Sequence, residues 1–102
     1  MRKENVYEIM HLPLADLDML EAEEYLSEFS PTAADKLSEA YEQQTDDLHE
    51  YPFMYKIYEP KPYFRCMPLP YDYLCFYHID EKANVVRIHR ILRGMQDIEN
   101  IL

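Results

Sequence analysis

From Val6 to Leu12 the chain reads VYEIMHL, a short β-rich run closed by Pro13, and a strand is predicted there. The rhythm then changes. After Leu14, the residues Ala15, Met19, Ala22, Leu26 and Phe29 recur at intervals of three and four, as one face of a helix does. Asp16, Glu21, Glu23, Glu24 and Glu28 fall on the other face. Ser30-Pro31 reads as an N-cap followed by proline in the first turn, where its missing N–H costs nothing. A second helix follows with Ala34, Leu37, Tyr41, Gln44 and Leu48 on one stripe, ending before Pro52. So short a link makes the pair an antiparallel helical hairpin.

Residues 51–62 (YPFMYKIYEPKP) are dense in proline and aromatic side chains, which predicts an ordered loop that packs its rings, with room for a short helical turn. Tyr63–Pro68 is a predicted strand whose proline suits an edge or a strand end. Tyr73–Asp80 (YLCFYHID) is apolar on both alternating faces, as a central strand covered on both sides should be. Asp80–Asn84 reads as a turn, Val85–Leu92 as a further strand and Met95–Leu102 as a brief helix. The predicted architecture is α+β: an N-terminal strand, an αα-hairpin on one face of the sheet, a three-stranded antiparallel meander and a short C-terminal helix, in a single domain over residues 1–102.

Composition narrows the classes. At 48% apolar, 102 residues can bury a core without disulfides or metals. Gly94 is the sole glycine, so neither a phosphate-cradling P-loop nor a dinucleotide fingerprint is present. No run approaches the ~20 apolar residues of a membrane span. The start, Met1-Arg2-Lys3-Glu4, leads into no apolar stretch, so no secretory signal is expected and a soluble cytoplasmic protein is. Cys66 and Cys75 lack zinc spacing. A hairpin centred on Pro70-Tyr71 sets them opposite each other, which leaves two readings, a cross-strand disulfide or two small buried thiols. His11, His49 and His78 are scattered, and neither a metal nor a cofactor is expected.

Charge is split along the chain. The net charge is −10. Residues 1–50 carry fourteen carboxylates against Arg2, Lys3 and Lys36, whereas residues 51–102 carry seven bases against six acids. The acids of residues 16–50 have the spacing of a solvated helix face. A chain that grips nucleic acid wants a basic footprint, and this one repels polyanions as a whole.

Four stretches together resemble the RelE/ParE superfamily, the toxins of bacterial type II toxin–antitoxin modules. Ala15-x-x-Asp18-Met19-x-x-Ala22-x-x-Tyr25-Leu26 is similar to that family's opening helix, and the helix from Ser30-Pro31 to Leu48 followed by Pro52 matches its second. Arg65-Cys66-Met67-Pro68 leading to Tyr73–Asp80 resembles its central hairpin, and Val86–Ile98 resembles its R-I-L-H-G-R-R-D-I ending. The chain departs from the pattern at Arg93, where the family most often has histidine, and at Met95, where it has arginine. Where the ribosome-dependent ribonucleases cluster bases, this chain has Arg65, Met67, Tyr73 and Arg93, half of that set. The sequence is therefore more similar to the ParE-like branch.

The resemblance implies the toxin of an addiction module of the plasmid-stabilising kind. It would inhibit a protein target such as DNA gyrase and be neutralised by a cognate antitoxin. The antitoxin's C-terminal segment would wrap the toxin as a helix in a groove or as a strand on the sheet edge. The acidity of residues 1–50 predicts that this segment is rich in Lys and Arg and contacts the helical hairpin. The oligomeric state stays open. The alternatives are a ribosome-dependent mRNA endoribonuclease and a toxin fold that has lost activity.

A metal-free ribonuclease needs an acid, a base and cations for the charge building on phosphorus. Strict alternation places Arg87, His89 and Arg93 on one face of the last strand, with Arg65 joining from the meander, so Arg65, His89 and Arg93 are the candidate catalytic residues of that alternative. An exposed sheet face that merely carries polar residues explains the same pattern. Arg90 has the opposite parity, with Val86, Ile88 and Leu92, and reads as structural, paired with a carboxylate or carbonyl from the helices; the resemblance makes Asp18 one candidate partner, since both occupy recurring family positions. Tyr73 and Tyr77 suit either base stacking and proton donation or the core.

Overall fold

The computed structural model describes residues 6–102; Met1–Asn5, including the basic start, lie outside the described residues. In chain order the elements are β1 (Glu8–His11), α1 (Pro13–Ser27), α2 (Pro31–Asp47), β2 (Arg65–Leu69), β3 (Tyr73–Asp80), β4 (Val85–Arg93) and α3 (Ile98–Ile101). Pro13 opens α1 at its first position, one residue earlier than the periodicity places it. Ser30 caps α2, its hydroxyl accepting from the Ala33 amide at 3.3 Å.

The sheet order is β1-β4-β3-β2. β2, β3 and β4 form the predicted antiparallel meander. β1 lies parallel to β4, in register from Glu8 opposite Val85 to His11 opposite Ile88. The helical hairpin covers one face. Ala15, Met19, Ala22 and Leu26 of α1 and Leu37 and Tyr41 of α2 pack there on Met67, Tyr73, Cys75, Tyr77, Val86, Ile88 and Ile91. The outer face has a smaller core of Phe64, Phe76 and Leu92, closed by Tyr58, Cys66, Leu74, Ile98 and Leu102. β3 is thus covered on both sides, as its unbroken apolar run requires.

The structure corrects several expectations. Phe29 falls beyond the end of α1 and is 71% exposed. Residues 51–62 form turns and a single bridge, Ile57 to Arg65, with no helical turn. Tyr55 and Tyr58 pack, whereas Tyr51 and Phe53 are exposed. In the β2–β3 hairpin Cys66 stands opposite Phe76, and Cys75 opposite Met67. The turn centres on Tyr71 itself, which shifts the pairing by one residue from a hairpin centred on Pro70-Tyr71, because Tyr71 and Asp72 both take positive φ (62° and 64°) while the Tyr73 amide closes on the Pro70 carbonyl. That shift sends the two thiols to opposite faces, and both are free. Burial pushes both thiols above the ordinary cysteine range.

The largest correction lies in β4. Phe76 pairs with Arg90 but Tyr77 pairs with Ile88, so His89 is an extra residue, a β-bulge. Alternation restarts beyond it. Val86 and Ile88 face the helices, and so does Ile91, while Leu92 turns to the outer core. β1 ends at this level, where the Leu12 amide donates to the Ile88 carbonyl at 3.0 Å. The next β4 amide on that edge, Ile91, donates at 2.9 Å to Oδ2 of Asp18 on α1. The same carboxylate accepts from Arg90 Nε at 2.7 Å and from its Nη2 at 3.0 Å. A helix side chain thereby continues the sheet where the strand stops, with the arginine predicted as its partner.

Asp18 is nearly buried and satisfies three donors. Asp18→Ala strands the Ile91 amide and the Arg90 guanidinium together. The expected cost is about 3 kcal/mol in urea unfolding, because half-removed buried pairs are dearer than absent ones. Asp18→Asn combined with Arg90→Met should recover a substantial part of that loss. Equal stabilities of wild type and Asp18→Ala would show that the carboxylate holds nothing.

Candidate functional site

The bulge decides where the candidate residues go. His89 lies on the outer face, its ring edge-on to Phe64 (5.1 Å between centroids) and Tyr63 (5.9 Å). Tyr63 in turn stacks on His78 at 3.7 Å. Nε2 of His89 is buried and has no hydrogen-bond partner among the described residues. Burial, and then the positive charge of neighbouring His78 and Arg87, pulls the His89 pKa below the usual imidazole value, so the neutral ring is favoured. Arg87 pairs with Asp80 at 2.9 Å, and that carboxyl is held below the usual range by the hydrogen bond.

Arg93 goes to the other side. Beyond the bulge it faces the helices, and its guanidinium carbon sits 4.7 Å from the centre of the Tyr25 ring on α1. Arg65 also lies on the helix side, opposite Tyr77, donating to the Tyr55 carbonyl at 2.8 Å and lying 5.0 Å over the Phe53 ring. Tyr73, opposite Arg93, and Tyr77, opposite Arg65, are four residues apart on β3, so the two arginines belong to ends of the ladder about 13 Å apart. Arg65, His89 and Arg93 are therefore not brought together: His89 is on one face, and the two arginines are at separated places on the other.

Tyr73 and Tyr77 are both core residues. Tyr77 donates its hydroxyl to the Pro52 carbonyl at 2.8 Å, and burial raises both phenols above their ordinary range, the nearby Arg93 partly opposing this for Tyr73. Among the described residues no group of three or more His, Cys, Asp or Glu side chains could hold a metal ion. No described helix is long and apolar enough to cross a membrane.

Two features of the helical layer invite a partner. Its outer surface is acidic, with Asp16, Glu23, Glu42 and Asp46 among the carboxylates lining shallow grooves. Leu14, Leu17 and Leu20 of α1 are about half exposed. A second groove, of about 370 Å³, opens between α1 and the end of β4, lined by Glu21, Tyr25, Tyr73, Arg93 and Gln96. Alternation along β4 hides this groove, because it puts Arg93 on the wrong face. The signal was present in the apolar positions, which move from even numbers (Val86, Ile88) to odd (Ile91). On α1, Tyr25 stands seven residues after Asp18, the same stripe two turns on.

The fold and its patterning are shared with known proteins. The sequence pattern of the ParE toxin of the type II toxin-antitoxin system, parDE, matches residues 9–98. The chain belongs to the ParE toxin family. It is the toxin component of a type II toxin–antitoxin system, with a cognate antitoxin as partner. A chain of the chromosomal ParDE TA system from P. aeruginosa has the same fold: TM-score 0.71 at 17% identity, covering 87% of this chain and 97% of that one. Among curated proteins, none matches. In this ParE-family toxin the Asp18–Arg90 pair joins the first helix of the family pattern to its last strand.

His89 sets a pH dependence. Its folded pKa is depressed, so below the ordinary ~6.5 the unfolded chain binds more protons at this site than the folded one does. Stability should fall as pH drops from about 6.5 towards 5. His89→Phe, packing its ring against Tyr63 and Phe64, should flatten that part of the melting-temperature profile. An unchanged pH profile in the variant would remove His89 as its source.

Proposed function

We propose that this ParE-family toxin acts by gripping a protein target, with DNA gyrase the target that the family resemblance implies, and performs no RNA cleavage itself. The dispersal of Arg65, His89 and Arg93 carries this reading. General acid, general base and phosphate-binding cation must converge on one phosphodiester within hydrogen-bond reach, and here the imidazole is held on the face opposite both arginines. A net charge of −10 opposes approach to RNA as well. Binding a protein demands no such convergence.

The cognate antitoxin is proposed to lay a basic amphipathic segment along the helical hairpin. Its lysines and arginines would meet the carboxylates of α1 and α2, and its apolar side would cover Leu14, Leu17 and Leu20. Such an interface steers encounter electrostatically and weakens with salt.

The test is induction of the toxin with and without the protein encoded beside it. Growth arrest relieved by that protein, loss of gyrase supercoiling activity in a purified assay and intact mRNA in primer extension are the expected results. Cleavage within codons that disappears in His89→Ala and Arg93→Ala would establish the ribonuclease instead. Undisturbed growth would point to a fold without toxic activity, and an acidic wrapping segment would overturn the placement on the hairpin.

A further inference from the structure

The four arginines among the described residues are not equivalent. Arg65 donates to the Tyr55 carbonyl, Arg87 pairs with Asp80, and Arg90 is held twice by Asp18. Arg93 alone has neither a carboxylate nor a carbonyl partner for its guanidinium among the described residues. That group meets only the Tyr25 ring and, at 3.9 Å, the Met95 sulfur. An arginine fork presents five donors and suits a carboxylate bidentately. Here most of those donors are left to whatever enters the groove.

The groove is built to hold that fork still. Gln96 Oε1 accepts from the Arg93 amide at 2.7 Å. The neighbouring Gly94 amide donates to the Asp72 carbonyl at 2.8 Å, and a side chain at Gly94 would meet the Asp72 carboxylate at 2.7 Å. The strand end and the β2–β3 turn are thus locked together beneath the arginine. Tyr25 supports the guanidinium from α1, and Tyr73, whose hydroxyl has no hydrogen-bond partner among the described residues, lines the same space. Beyond Tyr25 the wall continues as the exposed Phe29 ring, 5.1 Å away and edge-on. Tyrosine and arginine in a partly desolvated pocket are the residue types that carry protein interfaces.

We propose that this groove takes one carboxylate presented by a protein partner, an aspartate or glutamate side chain set among apolar residues, with Arg93 as its ligand and the Tyr25–Phe29 rings receiving the apolar neighbours. The proposal rests on the reading that the toxin acts on a protein. The lining selects for this occupant. Glu21 and Asp18 flank the site and the acidic hairpin surrounds it, so a polyanion such as nucleic acid is repelled far more strongly than a single carboxylate, whose one charge meets Arg93 and whose apolar body meets the rings. The carboxylate also belongs to a different contact from the basic antitoxin segment, which meets the opposite charge on the hairpin.

The site is read directly by NMR on the isolated full chain, whatever the toxin's target. The probes are 3-phenylpropionate, its uncharged amide, inorganic phosphate and an oligothymidylate. The carboxylate should shift the Arg93 Nε–Hε signal and the Tyr25 and Tyr73 ring signals, at concentrations at least tenfold lower than the amide requires. Arg93→Gln should abolish the response while leaving the rest of the spectrum in place. Tyr25→Leu, which removes the support and not the charge, should weaken it severalfold. Equal responses to acid and amide, or shifts that persist in Arg93→Gln, would overturn the proposal. Tighter binding of phosphate or oligothymidylate than of the carboxylate would overturn it in favour of a nucleic-acid contact. A positive titration with a toxin that spares gyrase would leave the groove assigned and the target wrong.

Discussion

The carboxylate of Asp18 takes the place of a missing strand. β1 is four residues long and stops opposite Ile88, yet β4 runs on to Arg93. An edge amide left bare against a packed helix would be a buried donor without an acceptor, a loss on the order of 1–3 kcal/mol. Asp18 removes that loss for Ile91 and uses its remaining lone pairs on Arg90. The result fixes α1 along the end of β4. The apolar stripe of α1, the hairpin it begins and the groove beside Arg93 all take their position from this contact.

The bulge at His89 is the second constraint, and it works with the first. One extra residue reverses which way the side chains beyond it point. Without it, Arg93 would stand on the outer face near His89 and Leu92 would turn towards the helices. With it, Leu92 completes the outer core with Phe64 and Phe76, and Arg93 crosses to Tyr25. The same displacement separates imidazole from guanidinium, which removes the arrangement that phosphodiester cleavage would use. Packing on both faces of the sheet and the chemistry open to the surface are thus set by a single backbone irregularity.

Much of the fold was legible in the sequence. The three- and four-residue spacing of Ala15, Met19, Ala22 and Leu26, the Ser30-Pro31 cap and the continuous apolar run of β3 report local physics, and local physics survives into the structure. The Asp18–Arg90 pair was legible through the resemblance, which sets both at recurring family positions; the parity that grouped Arg90 with Val86 and Ile88 did not hold, since beyond the bulge Arg90 stands opposite Phe76 of the outer core. The faces of β4 were not legible, since parity is reliable only while pairing stays regular. The β2–β3 register failed by one residue for a related reason: Tyr71 and Asp72 both adopt the left-handed conformation, which aspartate tolerates but a tyrosine does not announce. The groove at Arg93 depended on that strand parity and so stayed hidden, although Tyr25 lay in plain view on the Asp18 stripe.

Hydrogen exchange at the Ile91 amide reports directly on whether Asp18 closes the sheet edge. An amide on a strand edge with no neighbouring strand ordinarily exchanges through small local openings. Ile91 is expected to exchange as slowly as the interior amides of β3, and Asp18→Ala, which removes the acceptor, to accelerate it far more than it accelerates Val86 or Ile88. Rapid exchange at Ile91 in the unaltered protein would contradict the account, because the helix would then not be closing the sheet.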